Sequence, residues 1–341
     1  MTLHVHGLGH FHPENEITNR FLEELDIGTS EEWIVDRVGI RSRRTVLPLD
    51  YLRETRNADP RAGAEVAVYD TAELGRRAAE RALRSAGIAA ADVGLVLSGS
   101  CATDITTPAE ACEIASRLGI SALALDVHSA CTSFVAHVNV LEMMRPEALP
   151  DYVLIVTQEA MTRTLDYGDR GTAVLFGDGA AAAVVSPRLP GRAVVVDAFL
   201  ASDPAGSQKV AILRNGFFGQ DGRAVQMYAI RKTVEQLQRL QAAHADPDRA
   251  LHFVGHQANL RVLQTACERA GIAPERHHRN VELFGNTAAA SAPSVLSMVW
   301  DKLGPDDDVA VIGVGAGLTW GSFLLRVTAP SGAAAPGGAP A

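Results

Sequence analysis

The chain has 341 residues, of which 47% are hydrophobic and 21% charged, enough for one large or two medium globular units with a substantial core. Its net charge of −9 at pH 7 disfavours nucleic acid as a partner. The sequence shows no signal-peptide pattern at its start and no uninterrupted apolar run of about 18 residues, so we expect a cytoplasmic protein that does not enter a membrane.

The cysteines and the C-terminal tail set further bounds. The four cysteines stand far apart, at positions 101, 112, 131 and 267, with no C-x-x-C spacing. This spacing predicts no zinc or other metal site and no set of disulfides, and reduced thiols fit a cytoplasmic location. Residues 329–341 are rich in Ala, Pro and Gly, and we expect this tail to be disordered because it can bury little apolar surface.

Strands and helices are predicted to alternate along the chain. Short apolar runs predict strands at 3–9, 93–98, 122–127, 152–157, 180–186, 193–200, 251–255, 309–313 and 321–327. Helical patterns lie at 71–85, 108–118, 131–144, 225–243, 260–270 and 286–303, and Thr29-x-x-Glu32 has the form of a capping box for a short helix that ends near Gly39. The alternation predicts an α/β protein, and its recurrence in 93–157 and 251–327 suggests a duplicated unit.

Cys131 lies where a predicted buried strand stops and a predicted helix begins. The free N–H groups and the positive dipole end of a helix N-terminus favour a thiolate, which makes Cys131 a candidate nucleophile. A buried cysteine that acts only as a small hydrophobic side chain is the competing interpretation.

Gly313, Gly315 and Gly317 form a G-x-G-x-G run after a predicted strand. The run lacks the third glycine of the dinucleotide fingerprint and precedes another strand, which argues against a nicotinamide cofactor. A loop with so few side chains either brings backbone N–H groups close to a ligand oxygen or forms a tight turn between core strands.

His256 and Asn286 stand at two further ends of apolar segments. Taken singly, the histidine is consistent with a hydrogen-bonded structural residue and the asparagine with an N-cap. Together with Cys131 they supply a nucleophile, an imidazole and an amide donor, a set that suits acyl transfer through a thioester.

Five segments carry a resemblance to a known family: Ala130-Cys131, DRGTAVLFGDG at 169–179, HQANLR at 256–261, GNTAAAS at 285–291 and GLTWGS at 317–322. In this order they closely resemble the signatures of β-ketoacyl-acyl-carrier-protein synthase III, of the thiolase superfamily. The resemblance implies an α/β thiolase fold of two similar halves, 1–187 and 188–328, in a five-layered αβαβα arrangement, and a homodimer.

The resemblance also implies roles for individual residues. Cys131 would be the acylated nucleophile, His256 and Asn286 would assist decarboxylation of a malonyl thioester, and the N–H groups of Cys131 and Gly317 would form the oxyanion hole. A neutral amide at Asn286 donates to an enolate oxygen that a carboxylate would repel, so asparagine favours carbon–carbon condensation. No cofactor is implied, because thioesters of coenzyme A or of phosphopantetheine on acyl carrier protein are substrates.

Substrate recognition is predicted from four positions and one insertion. By the same resemblance, Trp33 and Arg37 would hold the nucleotide end of coenzyme A and Arg261 would dock the acidic carrier protein; a packed tryptophan and a solvated helix-surface arginine are the alternatives. Thr107 falls where a bulky aromatic often gates short acyl starters, in a loop that reaches the partner subunit's pocket. Residues 45–70 form a connection longer than is typical of the family, expected to be a loop that covers the acyl pocket or contacts the carrier. Thr107 and the insertion together predict a medium-to-long or functionalised acyl group.

The leading prediction is therefore an acyltransferase and ketosynthase of fatty-acid or polyketide biosynthesis. It would load an acyl group on Cys131 and condense it with a malonyl or β-ketoacyl thioester on acyl carrier protein. Within the family, joining two carrier-bound β-ketoacyl chains to a pyrone or ring product and acyl transfer to a hydroxyl or amine remain open. Outside catalysis, the alternatives are a dimeric scaffold and a redox sensor that uses Cys131.

Overall fold

A computed structural model describes residues 2–214 and 216–328, so the predicted disorder of 329–341 lies outside the described residues. The described strands are His4–Phe11 (β1), Asn15–Thr18 (β2), Ser42–Thr45 (β3), Val93–Gly99 (β4), Leu123–Asp126 (β5), Tyr152–Glu159 (β6), Gly179–Ser186 (β7), Ala193–Ser202 (β8), Val210–Ile212 (β9), Phe218–Gln220 (β10), Ala250–Gly255 (β11), His277–His278 (β12), Asp307–Gly315 (β13) and Thr319–Val327 (β14). The described α-helices are Asn19–Glu24 (α1), Glu31–Val38 (α2), Leu49–Thr55 (α3), Pro60–Val66 (α4), Thr71–Ala86 (α5), Glu110–Leu118 (α6), Ser133–Met143 (α7), Gly222–His244 (α8), Leu260–Ala270 (α9), Val281–Phe284 (α10) and Ser291–Val299 (α11).

Ten strands are hydrogen-bonded in the order β12-β11-β13-β14-β8-β1-β7-β6-β4-β5. In the middle of this ten-stranded sheet, β1 and β8 meet through a short antiparallel pairing of His4 with Val194 and Val5 with Ala193. On one side β4 pairs in parallel with β5 and β6, and β6, β7 and β1 pair antiparallel. On the other side β11, β12, β13, β14 and β8 repeat the same order and directions. The two halves therefore share one topology.

The helices repeat with the strands. The connection from β1 to β4 contains α5 and that from β8 to β11 contains α8, while α6 and α9 join the next parallel strands and α7 and α11 precede the third. Helices α5 and α6 cover one half-sheet, α8 and α9 cover the other, and α7 and α11 contact strands of both. These layers confirm the predicted αβαβα arrangement. The boundary between residues 187 and 188 falls in the β7–β8 connection and stays a prediction.

The central helices are buried because their sequences are apolar on nearly every side. Phe134, Val138 and Leu141 of α7 and Val295 and Leu296 of α11 belong to one core cluster with residues from both half-sheets. Each central helix starts at the same end of the core, where the predicted functional residues lie.

Several details differ from the sequence-based expectation. The cap of α2 is Ser30 and not Thr29, since the Trp33 N–H donates to the Ser30 hydroxyl at 3.2 Å. Strand β5 was expected to be buried, but it lies at the sheet edge and Leu123 is 64% exposed. A run of apolar residues cannot by itself distinguish a central strand from an exposed edge strand.

The insertion 45–70 is not an irregular loop, because it contains helices α3 and α4. Between them Asn57 is fully buried, and its Nδ2 donates to the carbonyls of Arg163 at 2.9 Å and Leu165 at 2.8 Å. The Tyr167 N–H donates to the Arg56 carbonyl at 3.0 Å. The insertion is thus fastened to the segment that follows β6.

Candidate active site

Cys131 lies in a tight turn that leads into the central helix α7. The turn, 130–132, is one turn of 3-10 helix in which Ala130 has a positive φ of 46°. Helix α7 starts at Ser133 rather than at residue 131 as predicted. The Ser133 hydroxyl donates to the Ala130 carbonyl at 2.7 Å and accepts the Ser129 N–H at 3.0 Å. These bonds hold the thiol at the N-terminal end of a buried helix.

His256 follows the end of β11 and contacts the Cys131 thiol. Its N–H donates to the Ile312 carbonyl at 2.8 Å, which continues the pairing of β11 with β13. Its Nδ1 lies 2.7 Å from the Ser291 hydroxyl, which also accepts the Gln257 N–H at 3.2 Å. Because Nδ1 is engaged, Nε2 is the ring atom left for the hydrogen bond between the imidazole and Cys131. A hydroxyl both donates and accepts, so Ser291 can support either neutral tautomer.

Asn286 lies in an extended segment and not on the helix predicted from residue 286. A 3-10 turn, Ala288–Ala290, separates it from α11, which starts at Ser291. The Asn286 N–H donates to the Leu175 carbonyl at 2.9 Å, and its Oδ1 accepts the Ala288 N–H at 2.9 Å. Since the side-chain oxygen is occupied, the amide NH2 is the group that can donate to a ligand.

The last glycine of β13 approaches the nucleophile closely. A Cβ on Gly315 would lie 3.1 Å from both the Cβ and the backbone N of Cys131, tighter than an ordinary contact. Gly317 lies in the turn between β13 and β14 with a φ of 130°, which few other residues adopt. The predicted loop of low side-chain bulk therefore borders Cys131, whereas the oxyanion role of Gly317 stays a prediction.

The surroundings of Cys131 hold the pKa of its thiol well below the ordinary value. The Cys101 thiol, which donates a hydrogen bond to it, is the largest cause, and His256 adds charge and a second hydrogen bond. Burial acts in the opposite direction and is outweighed. A thiolate is the form of cysteine that attacks a thioester carbonyl.

Two side chains beside Cys131 were not predicted from the sequence. Cys101 follows the end of β4, and Glu159 is the last residue of β6 and fully buried. The Glu159 carboxyl accepts the Cys101 N–H at 2.9 Å and the Ala289 N–H at 3.2 Å. Burial, with the nearby Cys131 charge, raises the pKa of Glu159 well above its usual range. In the sequence, the only sign of a role for Cys101 and Glu159 is that each stands near the end of a predicted strand, as His256 does.

Arg170 lies over the ring of Trp33, a residue of α2. The Arg170 guanidinium lies 5.2 Å from the Trp33 ring centre, and its Nη1 donates to the Gly28 carbonyl at 2.6 Å. Arg170 belongs to the segment 169–179 that carries the family resemblance, yet the sequence alone assigned it no role. A half-buried tryptophan under an exposed guanidinium offers a flat surface for a ring.

Arg261, on the first turn of α9, reaches the helix that carries Trp33 and Arg37. Its Nε donates to the Asp36 carbonyl at 3.1 Å, and its Nη2 lies 3.9 Å from the Asp36 carboxylate. Arg37 and Arg261 are both exposed. The structure thus brings Arg261 to the α2 helix, on which both predicted nucleotide-binding residues lie.

Thr107 is exposed in the loop that connects β4 to α6. Asp104 anchors this loop by accepting the Thr71 N–H at 2.7 Å and by pairing with Arg163. At its end, the first N–H groups of α6 donate to the Asp126 carboxylate on β5. The loop therefore lies at the exposed β5 edge of the sheet.

Comparison with known proteins assigns this architecture to a family. The model for 3-oxoacyl-[acyl-carrier-protein (ACP)] synthase III matches residues 125–204, and that for the C-terminal part of the same synthase matches residues 240–327. The β-ketoacyl-[acyl-carrier-protein] synthase III of Oceanobacillus iheyensis is 34% identical over 333 residues, which cover 96% of this chain and 99% of the relative. The chain belongs to the β-ketoacyl-acyl-carrier-protein synthase III family.

Solved structures of synthase III enzymes agree with this assignment. The synthase III of Aquifex aeolicus superposes with a TM-score of 0.84 at 27% identity and covers 95% of this chain and 99% of its own. The priming β-ketosynthase of the R1128 polyketide pathway superposes with a TM-score of 0.79 at 28% identity, covering 96% of this chain and 97% of its own. The predicted family, thiolase fold and enzyme class are confirmed: the protein is a condensing acyltransferase that forms carbon–carbon bonds. Within residues 2–214 and 216–328, no helix combines the length and apolar character needed to cross a bilayer.

Proposed function

We propose that this synthase III enzyme transfers an acyl group to Cys131 and condenses it with a malonyl or β-ketoacyl thioester on acyl carrier protein. The observation that carries the proposal is the contact of the Cys131 thiol with the His256 imidazole, beside an Asn286 whose amide NH2 is free to donate. The 3-10 turns that contain Cys131 and follow Asn286 pack against each other.

In the first half-reaction the Cys131 thiolate attacks the carbonyl carbon of an acyl thioester. The oxygen of the tetrahedral intermediate becomes negative, and backbone N–H groups of the Cys131 turn and the glycine loop supply donors for it. The intermediate collapses with loss of the coenzyme A thiolate, which takes up a proton. The products are acyl-Cys131 and free coenzyme A.

In the second half-reaction a malonyl thioester loses carbon dioxide, and the bonding electrons form an enolate on its thioester carbonyl. Donors from His256 Nε2 and Asn286 Nδ2 stabilise that enolate oxygen, and the role of His256 requires a proton on Nε2. The enolate carbon attacks acyl-Cys131, and the thiolate leaves to regenerate the enzyme. Because Ser291 can donate to Nδ1, it supports the tautomer that this step needs.

For the substrate, we propose a medium-to-long or functionalised acyl group. The small, exposed side chain of Thr107 supports this choice, since the gate position lacks aromatic bulk. The stacked Trp33 and Arg170 suit the adenine of coenzyme A, and the exposed Arg37 and Arg261 suit phosphates and an acidic carrier protein.

We further propose that the enzyme acts as a homodimer joined at the β5 edge. An exposed edge strand with an apolar residue such as Leu123, 64% exposed, is a liability unless another chain pairs with it. The anchored loop that carries Thr107 lies at the same edge, so a second copy placed there brings this loop toward the partner.

Intact-mass spectrometry after incubation with acyl-coenzyme A of increasing chain length tests the proposal. We expect one acyl adduct, abolished in Cys131→Ala and retained in Cys112→Ala, the control at an exposed thiol on α6. No adduct, or an adduct that survives Cys131→Ala, contradicts the catalytic assignment, and loading of acetyl alone contradicts the proposed chain length. Product analysis with malonyl carrier, a β-ketoacyl carrier and an alcohol then identifies the acceptor.

A further inference from the structure

A second thiol lies in hydrogen-bond contact with Cys131. It belongs to Cys101, which follows the end of β4 and packs against the same core cluster as Cys131. Both residues are only partly exposed. The two remaining cysteines are elsewhere: Cys112 is exposed on α6, and Cys267 is buried in α9.

The backbone around the two thiols is fixed, and the Cys101 side chain also interacts with the Glu159 carboxyl. The Glu159 carboxyl accepts the Cys101 N–H through both oxygens, at 3.1 and 2.9 Å, and the same carboxyl accepts the Ala289 N–H. On the other side Gly315 presses against the Cys131 backbone. Main-chain contacts therefore hold the backbone positions of both cysteines.

The two sulfurs differ in protonation, which gives them different chemical roles. The pKa of Cys131 is held well below its ordinary value, whereas that of Cys101 is raised well above its own, first by its hydrogen bond to Cys131 and then by burial. One is a thiolate that reacts readily with a hydroperoxide, and the other is a neighbouring thiol that can resolve the product.

We infer that Cys101 is a resolving cysteine, and that it forms a reversible disulfide with Cys131 when the unacylated enzyme meets a hydroperoxide. The inference goes beyond the proposed condensation but uses the same reactive Cys131.

The steps balance with the hydroperoxide as the only oxidant. The Cys131 thiolate attacks one peroxide oxygen, the O–O bond breaks to give a sulfenic acid, and the leaving oxyanion takes a proton to become an alcohol or water. The Cys101 thiol loses its proton and attacks the sulfenic sulfur, the S–O bond breaks, and the released hydroxide becomes water. Two thiols are oxidised by two electrons to one S–S bond of about 2.05 Å, while one peroxide is reduced.

The consequence is protection of the nucleophile. A sulfenic acid with no resolving thiol proceeds to sulfinic acid, which is irreversible in most proteins, whereas a disulfide is returned to thiols by a reductant. An acyl group on Cys131 occupies the sulfur and prevents the first step. Only enzyme that is idle between turnovers is converted to the disulfide.

The test uses the purified full chain treated with hydrogen peroxide, followed by alkylation of free thiols and mass spectrometry. We expect the wild-type protein to lose about 2 Da, to yield a peptide that links Cys101 to Cys131, and to recover acyl loading after dithiothreitol. Cys101→Ser should gain about 32 Da and stay inactive after dithiothreitol. Cys112→Ser, the matched control at a thiol outside the site, should behave as the wild type does.

Equal over-oxidation of the wild type and Cys101→Ser overturns the inference, as does a linkage through Cys112 or Cys267. Should Cys101→Ser fail to fold, the peptide linkage in the wild type decides alone, and wild-type protein acylated beforehand must show none. Acyl loading of the reduced wild type before oxidation separates the two proposals. Failure to load contradicts the proposed function, and normal loading without the disulfide contradicts only this inference.

Discussion

Ser291 holds His256 by its ring nitrogen, and Ser291→Ala tests whether that contact serves the chemistry or only the fold. The substitution removes the hydroxyl that lies 2.7 Å from His256 Nδ1 and accepts the Gln257 N–H at 3.2 Å. At about 1 kcal/mol for each hydrogen bond, the free energy of unfolding should fall by about 2 kcal/mol. Loss of the hydrogen bond that orients the imidazole, worth about 0.5–1.5 kcal/mol, should lower the rates of the half-reactions by about twofold to tenfold.

Ser294 provides the matched control, one turn further along α11. Its hydroxyl donates to the Ser291 carbonyl at 2.9 Å and accepts from Asn280 Nδ2 at 3.0 Å, and like Ser291 it is fully buried. Ser294→Ala therefore also removes two buried hydrogen bonds, but none that involves His256.

The assay combines urea unfolding with separate measurements of acyl loading and malonyl decarboxylation across pH. We expect similar losses of stability in the two variants, and a lowered rate with an altered pH profile only in Ser291→Ala. Ser291→Thr, which keeps a hydroxyl, should restore part of the lost rate if the enlarged side chain is accommodated. Equal rates in Ser291→Ala and Ser294→Ala, with unchanged pH profiles, would refute the positioning role of Ser291.

Three further predictions follow from the site and its surroundings. Asn286→Asp should slow malonyl decarboxylation by about 10²- to 10³-fold and acyl loading much less, because a carboxylate repels the enolate; equal losses in both assays would contradict this role. Trp33→Ala and Arg170→Ala should each raise the KM for acyl-coenzyme A by about tenfold. Neither should change loading from a short acyl thioester that lacks the nucleotide, and a raised KM for both donors would argue against nucleotide binding. Burial raises the pKa of Glu110 to about 7, whereas an unfolded glutamic acid titrates near 4.5. Between these pH values the folded protein binds more protons than the unfolded chain, so its free energy of unfolding should fall as the pH rises through this range. Glu110→Gln should flatten that part of the profile in urea unfolding at several pH values, and parallel profiles for variant and wild type would show that another group is responsible.

Long, patterned elements were predictable from the sequence, and short ones were not. All nine expected strands are present within the described residues, because each has enough apolar residues to give a strand pattern, although β5 is exposed rather than buried. Strands such as β12, with only the two residues His277 and His278, form because β11 provides a parallel partner, and no local pattern encodes that partner. The insertion was mistaken for a loop because two short helices with few apolar positions resemble a polar connection.

The candidate site was predictable where a reactive residue type stood at a strand end. Cys131, His256 and Asn286 were found in this way, with family resemblance supplying their roles. Glu159 and Ser291 were not found, because their contribution depends on three-dimensional contacts, one through backbone N–H groups and the other through a ring nitrogen. Glu159 does stand at a strand end, but that position alone does not separate a buried carboxyl from an ordinary core polar residue, and the Ser291 hydroxyl has no sequence signature at all.

The repeated topology has a consequence for how this enzyme can diverge. Strands β4 and β11 are equivalent, and so are β5 and β12, yet the first member of each pair leads to a thiol and the second leads to an imidazole or an amide. A chain assembled from two copies of the first half would keep the strand order but carry two thiol turns and neither His256 nor Asn286. The scaffold is symmetric while the reaction is not, so the strand-end loops must specialise separately in each half, and the halves are no longer interchangeable.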